Sequence, residues 1–73
     1  MTLNAKGYWG RVRKSFNLNP SWRKGQHYFN TLHNMHPSLA DEIRGTDKDP
    51  FFSVSDRDER AQKFFEYIVE ISQ

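Results

Sequence analysis

Histidines are the first residues in this chain whose spacing suggests chemistry. His33 and His36 are three positions apart, so a helix would present both on one side, with Asp41 or Glu42 as further ligands. A zinc site needs at least three protein ligands in fixed geometry, but Pro37 disfavours helical geometry at His36. The chain has no cysteine and no HExxH motif. We therefore expect no metal site and interpret the histidines as surface residues.

Two Asp-x-Asp pairs, Asp47-x-Asp49 and Asp56-x-Asp58, resemble the start of a calcium-binding loop. An EF-hand loop needs glycine at its sixth position, where a loop starting at Asp47 has Phe52. Turn formation and helix capping explain these acids better.

The sequence contains no recognisable catalytic motif. A GxSxG elbow, a phosphate-binding glycine-rich loop and a dinucleotide fingerprint are all missing. A chain of 73 residues also leaves little room for a substrate pocket of about 300–1,000 Å³. We expect a protein that is not an enzyme and that needs no cofactor.

The charges are distributed unevenly along the chain. Residues 1–40 contain no acid and carry a formal charge of +6, whereas residues 41–73 hold all nine acids and carry −4, which gives the net +2. Such a split favours an acidic partner for the first half. The alternative is that the two halves fold together and neutralise each other, as on ordinary mixed-sign surfaces.

Basic residues in the first half are interleaved with Tyr8, Phe16 and two tryptophans. Arginine and tryptophan are favoured anchors of protein interfaces, but cations beside aromatic rings also suit nucleic acids. We favour a protein partner with an acidic surface, because no nucleic-acid-binding motif is evident. The candidate binding residues are Trp9, Arg11, Arg13, Lys14, Arg23 and Lys24.

Hydrophobic spacing predicts the elements that position these residues. Tyr8, Val12 and Phe16 recur every four positions and predict a short helix over about 8–16. Asn19 as N-cap and Pro20 as first helical residue predict a main helix over about 20–35. Gly25 lies inside this helix, where glycine is costly unless another segment, such as an aromatic ring, approaches closely.

The second half predicts one short and one long helix. Pro37 opens a short helix that Gly45 ends, and a turn-forming loop follows over 46–50. We expect Phe51 and Phe52, which follow in an extended segment, to pack into the core. A second main helix follows over about 56–71, with Asp56 as its N-cap and Ser55 as the competing cap.

Together these elements predict an all-α fold, a small helical domain with two main helices (about 20–35 and 56–71) plus one or two short helices. Residues 1–73 form a single domain, with 1–6 disordered. No stretch is apolar enough for a signal peptide or membrane span, so we expect a cytoplasmic protein. The thin core makes a homodimer plausible. The predicted core residues are Trp22, Phe29, Leu32, Leu39, Ile43, Phe51, Phe64, Phe65 and Ile68.

Two segments resemble a known group of proteins. They read NPxWRxGQxxFNxL from Asn19 to Leu32, and LAxxIRGTxxDPFF from Leu39 to Phe52. This pattern is similar to short uncharacterised proteins of tailed bacteriophages and prophages. The resemblance covers nearly half of the chain and implies a phage origin, the host cytoplasm and binding to one host or phage macromolecule. The resemblance implies no particular enzymatic activity. Its polar positions are interpreted as a scaffold around the loop: Arg23, Gln26, Asn30, Arg44 and Asp49.

Overall fold

The computed structural model describes residues 3–72, which form four α-helices without a strand. The helices are α1 (Ala5–Leu18), α2 (Lys24–Met35), α3 (Pro37–Ile43) and α4 (Glu59–Ile71). Helix α2 packs against both α1 and α3. The prediction of a small all-α domain is confirmed, although α1, predicted as a short helix, is the longest, with 14 residues.

The start of the chain is ordered where the structure describes it. Leu3 is 1% exposed and its N–H donates to the carbonyl of Ile71 at 2.8 Å. The Asn4 side chain caps α1 by accepting from the N–H of Gly7 at 3.1 Å. The predicted disorder of residues 1–6 is therefore wrong for residues 3–6, because Leu3 is held by α4. Residues 1 and 2 lie outside the described part.

Helix α2 begins four residues later than the sequence predicts. The N–H of Asn19 still donates to Ser15 at 2.8 Å, so Asn19 ends α1 instead of capping α2. Pro20 lies in a turn in which the N–H of Trp22 donates to the carbonyl of Asn19 at 3.2 Å. Helix α2 has no side-chain cap, and the N–H of Gly25 donates to the carbonyl of Ser53. That partner is distant in sequence, which explains why local signals misplaced the start.

Helix α3 confirms its predicted signals. Pro37 occupies its first turn, and Arg44 and Gly45 end it. Gly45 has φ of +76°, in the left-handed region that glycine adopts at low cost. Its N–H donates to the Asp49 carboxylate at 2.8 Å, and that carboxylate also accepts from the N–H of Phe51. The Asp49 carboxylate therefore stabilises the predicted turn over 46–50 by accepting hydrogen bonds from both of its ends.

Helix α4 starts later than predicted because Asp56 is used elsewhere. Its Oδ1 accepts from the Tyr28 hydroxyl at 2.7 Å, and its Oδ2 lies 3.4 Å from Lys24 Nζ. Asp58 caps the helix by accepting from the N–H of Arg60 at 2.9 Å. Neither predicted cap, Asp56 nor Ser55, therefore holds the N-terminus of α4.

The core is more tyrosine-rich than the sequence predicts. Of the predicted members, Phe29, Leu32, Ile43, Phe64 and Ile68 are buried, and Leu39, Phe51 and Phe65 are partly buried against them. Trp22 packs outside this cluster, and Phe52, predicted to plug the core, is 75% exposed. The buried members that the prediction missed are Leu3, Tyr8, Val12, Tyr28, Ala40 and Tyr67.

Tyrosines join the core because their hydroxyls find partners. Tyr8 donates to the carbonyl of Tyr28 at 2.7 Å, and Tyr67 donates to the carbonyl of Leu39 at 3.3 Å. A buried hydroxyl is costly only without a partner. Burial raises the pKa of Tyr8 and of Tyr28, so both stay neutral. The rings of Tyr28 and Phe64 stack with centroids 6.1 Å apart, which joins α2 to α4.

Gly25 lies where two backbones meet. A Cβ here would overlap the carbonyl oxygen of Pro50 and lie 2.7 Å from its carbonyl carbon. The N–H of Gly25 donates to Ser53 at 2.9 Å across the same contact. The predicted close approach is therefore present, but the approaching group is backbone and not an aromatic ring.

Gly25→Ala should destabilise the protein by about 2–3 kcal/mol, because the added methyl group meets backbone that cannot rotate away. Urea unfolding followed by circular dichroism measures this change.

Gly10→Ala is the matched control. Gly10 lies in α1 with nothing within 4 Å of an added Cβ. Alanine here should stabilise the protein by about 0.5–1 kcal/mol through helix propensity. Equal effects of the two substitutions would contradict the steric account of Gly25.

Candidate functional site

A groove of about 590 Å³ lies between α1 and α2. Helix α1 contributes Arg11 and Lys14, which lie three positions apart on one side of that helix. None of the residues lining the groove is acidic. The lining residues are Arg11, Lys14, Ser15, Leu18, Asn19, Trp22, Asn30, Thr31, His33 and Asn34. The groove is therefore a concave surface with a positive rim.

Helix α2 contributes a wall rich in side-chain amides. Asn30 and Asn34 are four residues apart and both line the groove, with Asn19 at its end. Each amide offers two donors and one acceptor oxygen. The prediction placed Asn30 in a scaffold around the loop and did not consider Asn34. Their spacing of four within a helix is the sequence signal that would have placed both on one face.

The groove rests on a polar contact between the two helices. Ser15 Oγ and His27 Nδ1 share a hydrogen bond of 2.6 Å. The His27 ring lies between Phe16, 4.1 Å away between centroids, and Trp22, 5.4 Å away. His27 is 0% exposed, so the prediction of surface histidines is wrong for this residue.

Burial sets the protonation of His27. It lowers the pKa of His27 from the ordinary 6.5, and the backbone of Asn19 opposes this shift only in part. Nε2 is buried and has no hydrogen-bond partner in the described residues. Burial disfavours the charged imidazolium more than the Asn19 backbone favours it. The folded protein therefore favours neutral His27.

The candidate residues of α1 do not all face the groove. Arg13 and Trp9 lie on another side of α1 and do not line it. Trp9 is 38% exposed and packs edge-on against Tyr28, with Phe65 at 6.0 Å between centroids. Trp9 thus combines an exposed edge with a packing role beside α4.

Arg23 and Lys24 are occupied by contacts within the protein. The Arg23 guanidinium lies 5.3 Å from the ring centroid of Phe51 and 5.2 Å from that of Phe52. Its Nε also donates to the carbonyl of Phe51 at 3.4 Å. Lys24 pairs with Asp56. Arg23 therefore holds the loop, as the scaffold interpretation predicts, and Lys24 holds the segment before α4.

A second, smaller concavity of about 400 Å³ adjoins the groove and shares Asn30 and His33 with it. Its other lining residues are Phe29, Arg44, Asp49, Phe51 and Phe52. The Arg44 guanidinium lies 5.5 Å from the Phe29 centroid. The two arginines near this concavity are thus already stacked on aromatic rings, Arg44 on Phe29 and Arg23 on Phe52.

Ion pairs divide the basic residues into two groups. Between the basic and acidic halves, the described residues form one ion pair, Lys24–Asp56. The other three pairs lie within the acidic half and join Arg44 to Asp41, and Lys63 to Asp47 and Glu59. The cations of α1 have no ion pair within residues 3–72: Lys6, Arg11, Arg13 and Lys14. Folding therefore neutralises the acidic half much more than α1.

Within residues 3–72, no group of three or more histidine, cysteine or acidic side chains is arranged to hold a metal ion. In the same part of the chain, no helix is long and apolar enough to span a membrane. No protein-family model, curated protein or solved structure matches this chain significantly.

The neutral state of His27 predicts a pH-dependent stability. Because the folded pKa is lowered, the unfolded chain binds a proton first as the pH falls through 6.5. The free energy of unfolding should therefore be lower at about pH 5.5 than at about pH 7.5. Urea unfolding at both pH values measures this loss.

His27→Gln should remove most of this loss because glutamine cannot titrate. His36→Gln also removes a histidine but leaves His27 in place, so it should keep the wild-type pH dependence. An undiminished loss in His27→Gln would contradict the assignment.

Proposed function

We propose that this chain is a small non-enzymatic binding protein, of the phage type that its sequence resembles. It engages a host or phage protein with an acidic surface through the basic surface of α1 and the adjoining groove. The observation that best supports this proposal is that the four cations of α1 make no ion pair within residues 3–72: Lys6, Arg11, Arg13 and Lys14. Unpaired charges on one surface favour a partner of opposite charge.

Protein is the favoured partner class over nucleic acid. The exposed Trp9 edge, beside Arg13, is typical of an interface anchor. The acids Glu66 and Glu70 on α4 are exposed and without ion pairs in the described residues, and they would repel a nucleic acid wrapped around the domain.

Replacing Arg11, Arg13 and Lys14 together with alanine should weaken partner binding by about 1.5–3 kcal/mol, if each exposed charge contributes about 0.5–1 kcal/mol. That change is roughly a 10- to 150-fold loss of affinity. Affinity capture from host lysate with tagged wild-type and variant protein, with and without nuclease, provides the comparison.

Alanine substitution of Arg57 and Arg60 is the control, because both are exposed cations in the acidic half. These variants should capture the same partners as the wild type. Capture that disappears with nuclease would identify nucleic acid instead. Full capture by the triple variant would refute binding through this surface.

A second copy of the chain is also a suitable partner for the α1 cations. The unpaired cations of α1 and the unpaired acids of α4 are complementary, and they favour a homodimer with one half facing the other. Sedimentation at low salt should detect the dimer, and salt should dissociate it. A monomer at high concentration and low salt would exclude it.

A further inference from the structure

We propose that the groove between α1 and α2 binds an extended acidic peptide segment. This inference rests on the proposed function and narrows it to one site and one ligand class. It predicts that the partner presents carboxylates on an extended chain and not on a folded convex surface.

Charge complementarity is the first argument. Arg11 and Lys14 are exposed, line the groove and make no ion pair in the described residues. No acid lines the groove, so a bound carboxylate would meet no repulsion from its walls. Aspartate or glutamate side chains of the ligand would pair with these two cations.

The amides of α2 supply the second argument. An extended chain carries one N–H and one C=O per residue, and a side-chain amide can donate to one and accept from the other. Asn30 and Asn34 both line the groove, one helical turn apart. Four residues of helix rise by about 6 Å, and two residues of an extended chain span about 6.6 Å. The two amides can therefore bond alternate residues of one peptide.

The available ring faces favour a peptide over single-stranded nucleic acid. Non-specific strands are held by bases stacked on aromatic side chains. Trp22, a partly buried lining residue, packs against His27 at 5.4 Å between centroids. His33 stacks on Phe29 at 6.4 Å with an interplanar angle of 22°. Both rings in the groove are thus already packed against protein neighbours, which leaves less ring surface for stacked bases.

Two charge-matched double variants of α1 test the site. Arg11→Ala with Lys14→Ala removes the groove cations, whereas Lys6→Ala with Arg13→Ala removes two exposed cations that do not line it. The probe is a fluorescein-labelled peptide of alternating glutamate and alanine, about eight to twelve residues long, which is roughly 26–40 Å of extended chain. Fluorescence anisotropy at low salt should find affinity lowered roughly 5- to 10-fold by the groove variant and less than about 2-fold by the other.

The outcomes separate this inference from the broader proposal. Equal weakening by both double variants would support a basic binding surface but overturn the groove as its site. Unchanged binding in both variants would overturn the groove inference, and partner capture by the triple alanine variant would then decide the broader proposal. No binding of the acidic peptide at low salt would overturn the groove inference, whereas partner capture from lysate would still test the broader proposal.

Side-chain amide signals in nuclear magnetic resonance provide a second readout. Titration with the unlabelled peptide should shift the NH₂ signals of Asn30 and Asn34 and leave those of Asn4 unchanged, because Asn4 caps the far end of α1. Unmoved Asn30 and Asn34 signals during binding would overturn the role of the amides. An oligothymidylate of about twelve nucleotides is the comparison, and tighter binding of this strand in the same groove would overturn the peptide as occupant.

Discussion

The contact between Gly25 and the Pro50–Ser53 segment is the constraint on which the rest of the structure depends. Here the first turn of α2 meets the backbone of the connection between α3 and α4 without a side chain between them. The Ser53 carbonyl accepts from the N–H of Gly25, so a distant residue does what an N-cap normally does. The same approach carries Asp56 to the Tyr28 hydroxyl and Phe51 to the Arg23 guanidinium.

This docking also decides which cations remain free. Arg23 and Lys24 belong to the same basic half as the α1 cations, but they lie beside Gly25 and are drawn into the contact. Lys24 pairs with Asp56, and Arg23 covers Phe51 and Phe52. Helix α1 lies away from this connection and meets none of its acids in the described residues. The charge split in the sequence thus becomes a spatial division, with structural cations at the start of α2 and unpaired cations on α1.

Sequence periodicity was sufficient to predict that the helices exist, but not where α2 and α4 begin or how the connection between α3 and α4 packs. The apolar spacing of α4 and the Pro37–Gly45 signals of α3 are local, and both helices form, although α4 begins at Glu59 and not at about residue 56. The start of α2 depends on Ser53 and the start of α4 on Asp58, because Asp56 is taken by Tyr28. Capping rules consider only residues near the helix end in the sequence, so they cannot predict hydrogen bonds to residues as distant as Ser53 or Tyr28. Phe52 is exposed for a related reason, since the connection turns Phe51 towards Phe29 and leaves Phe52 under Arg23.

The groove could be predicted only in part, for the same reason. Arg11 and Lys14 were identified from charge, whereas the amides of Asn30 and Asn34 join them only because α2 packs against α1. What fixes that packing is buried: the Tyr8 hydroxyl bonds the Tyr28 carbonyl, and Ser15 bonds His27. Both bonds cross from one helix to the other, so neither wall of the groove can shift without leaving a buried polar group unpaired. A groove whose walls are held in this way needs little ordering when a ligand binds, and the entropic cost of binding falls mainly on the ligand. An extended segment loses conformational entropy when it orders in the groove, but its narrow chain can enter a concave surface that a folded partner would have to match in shape.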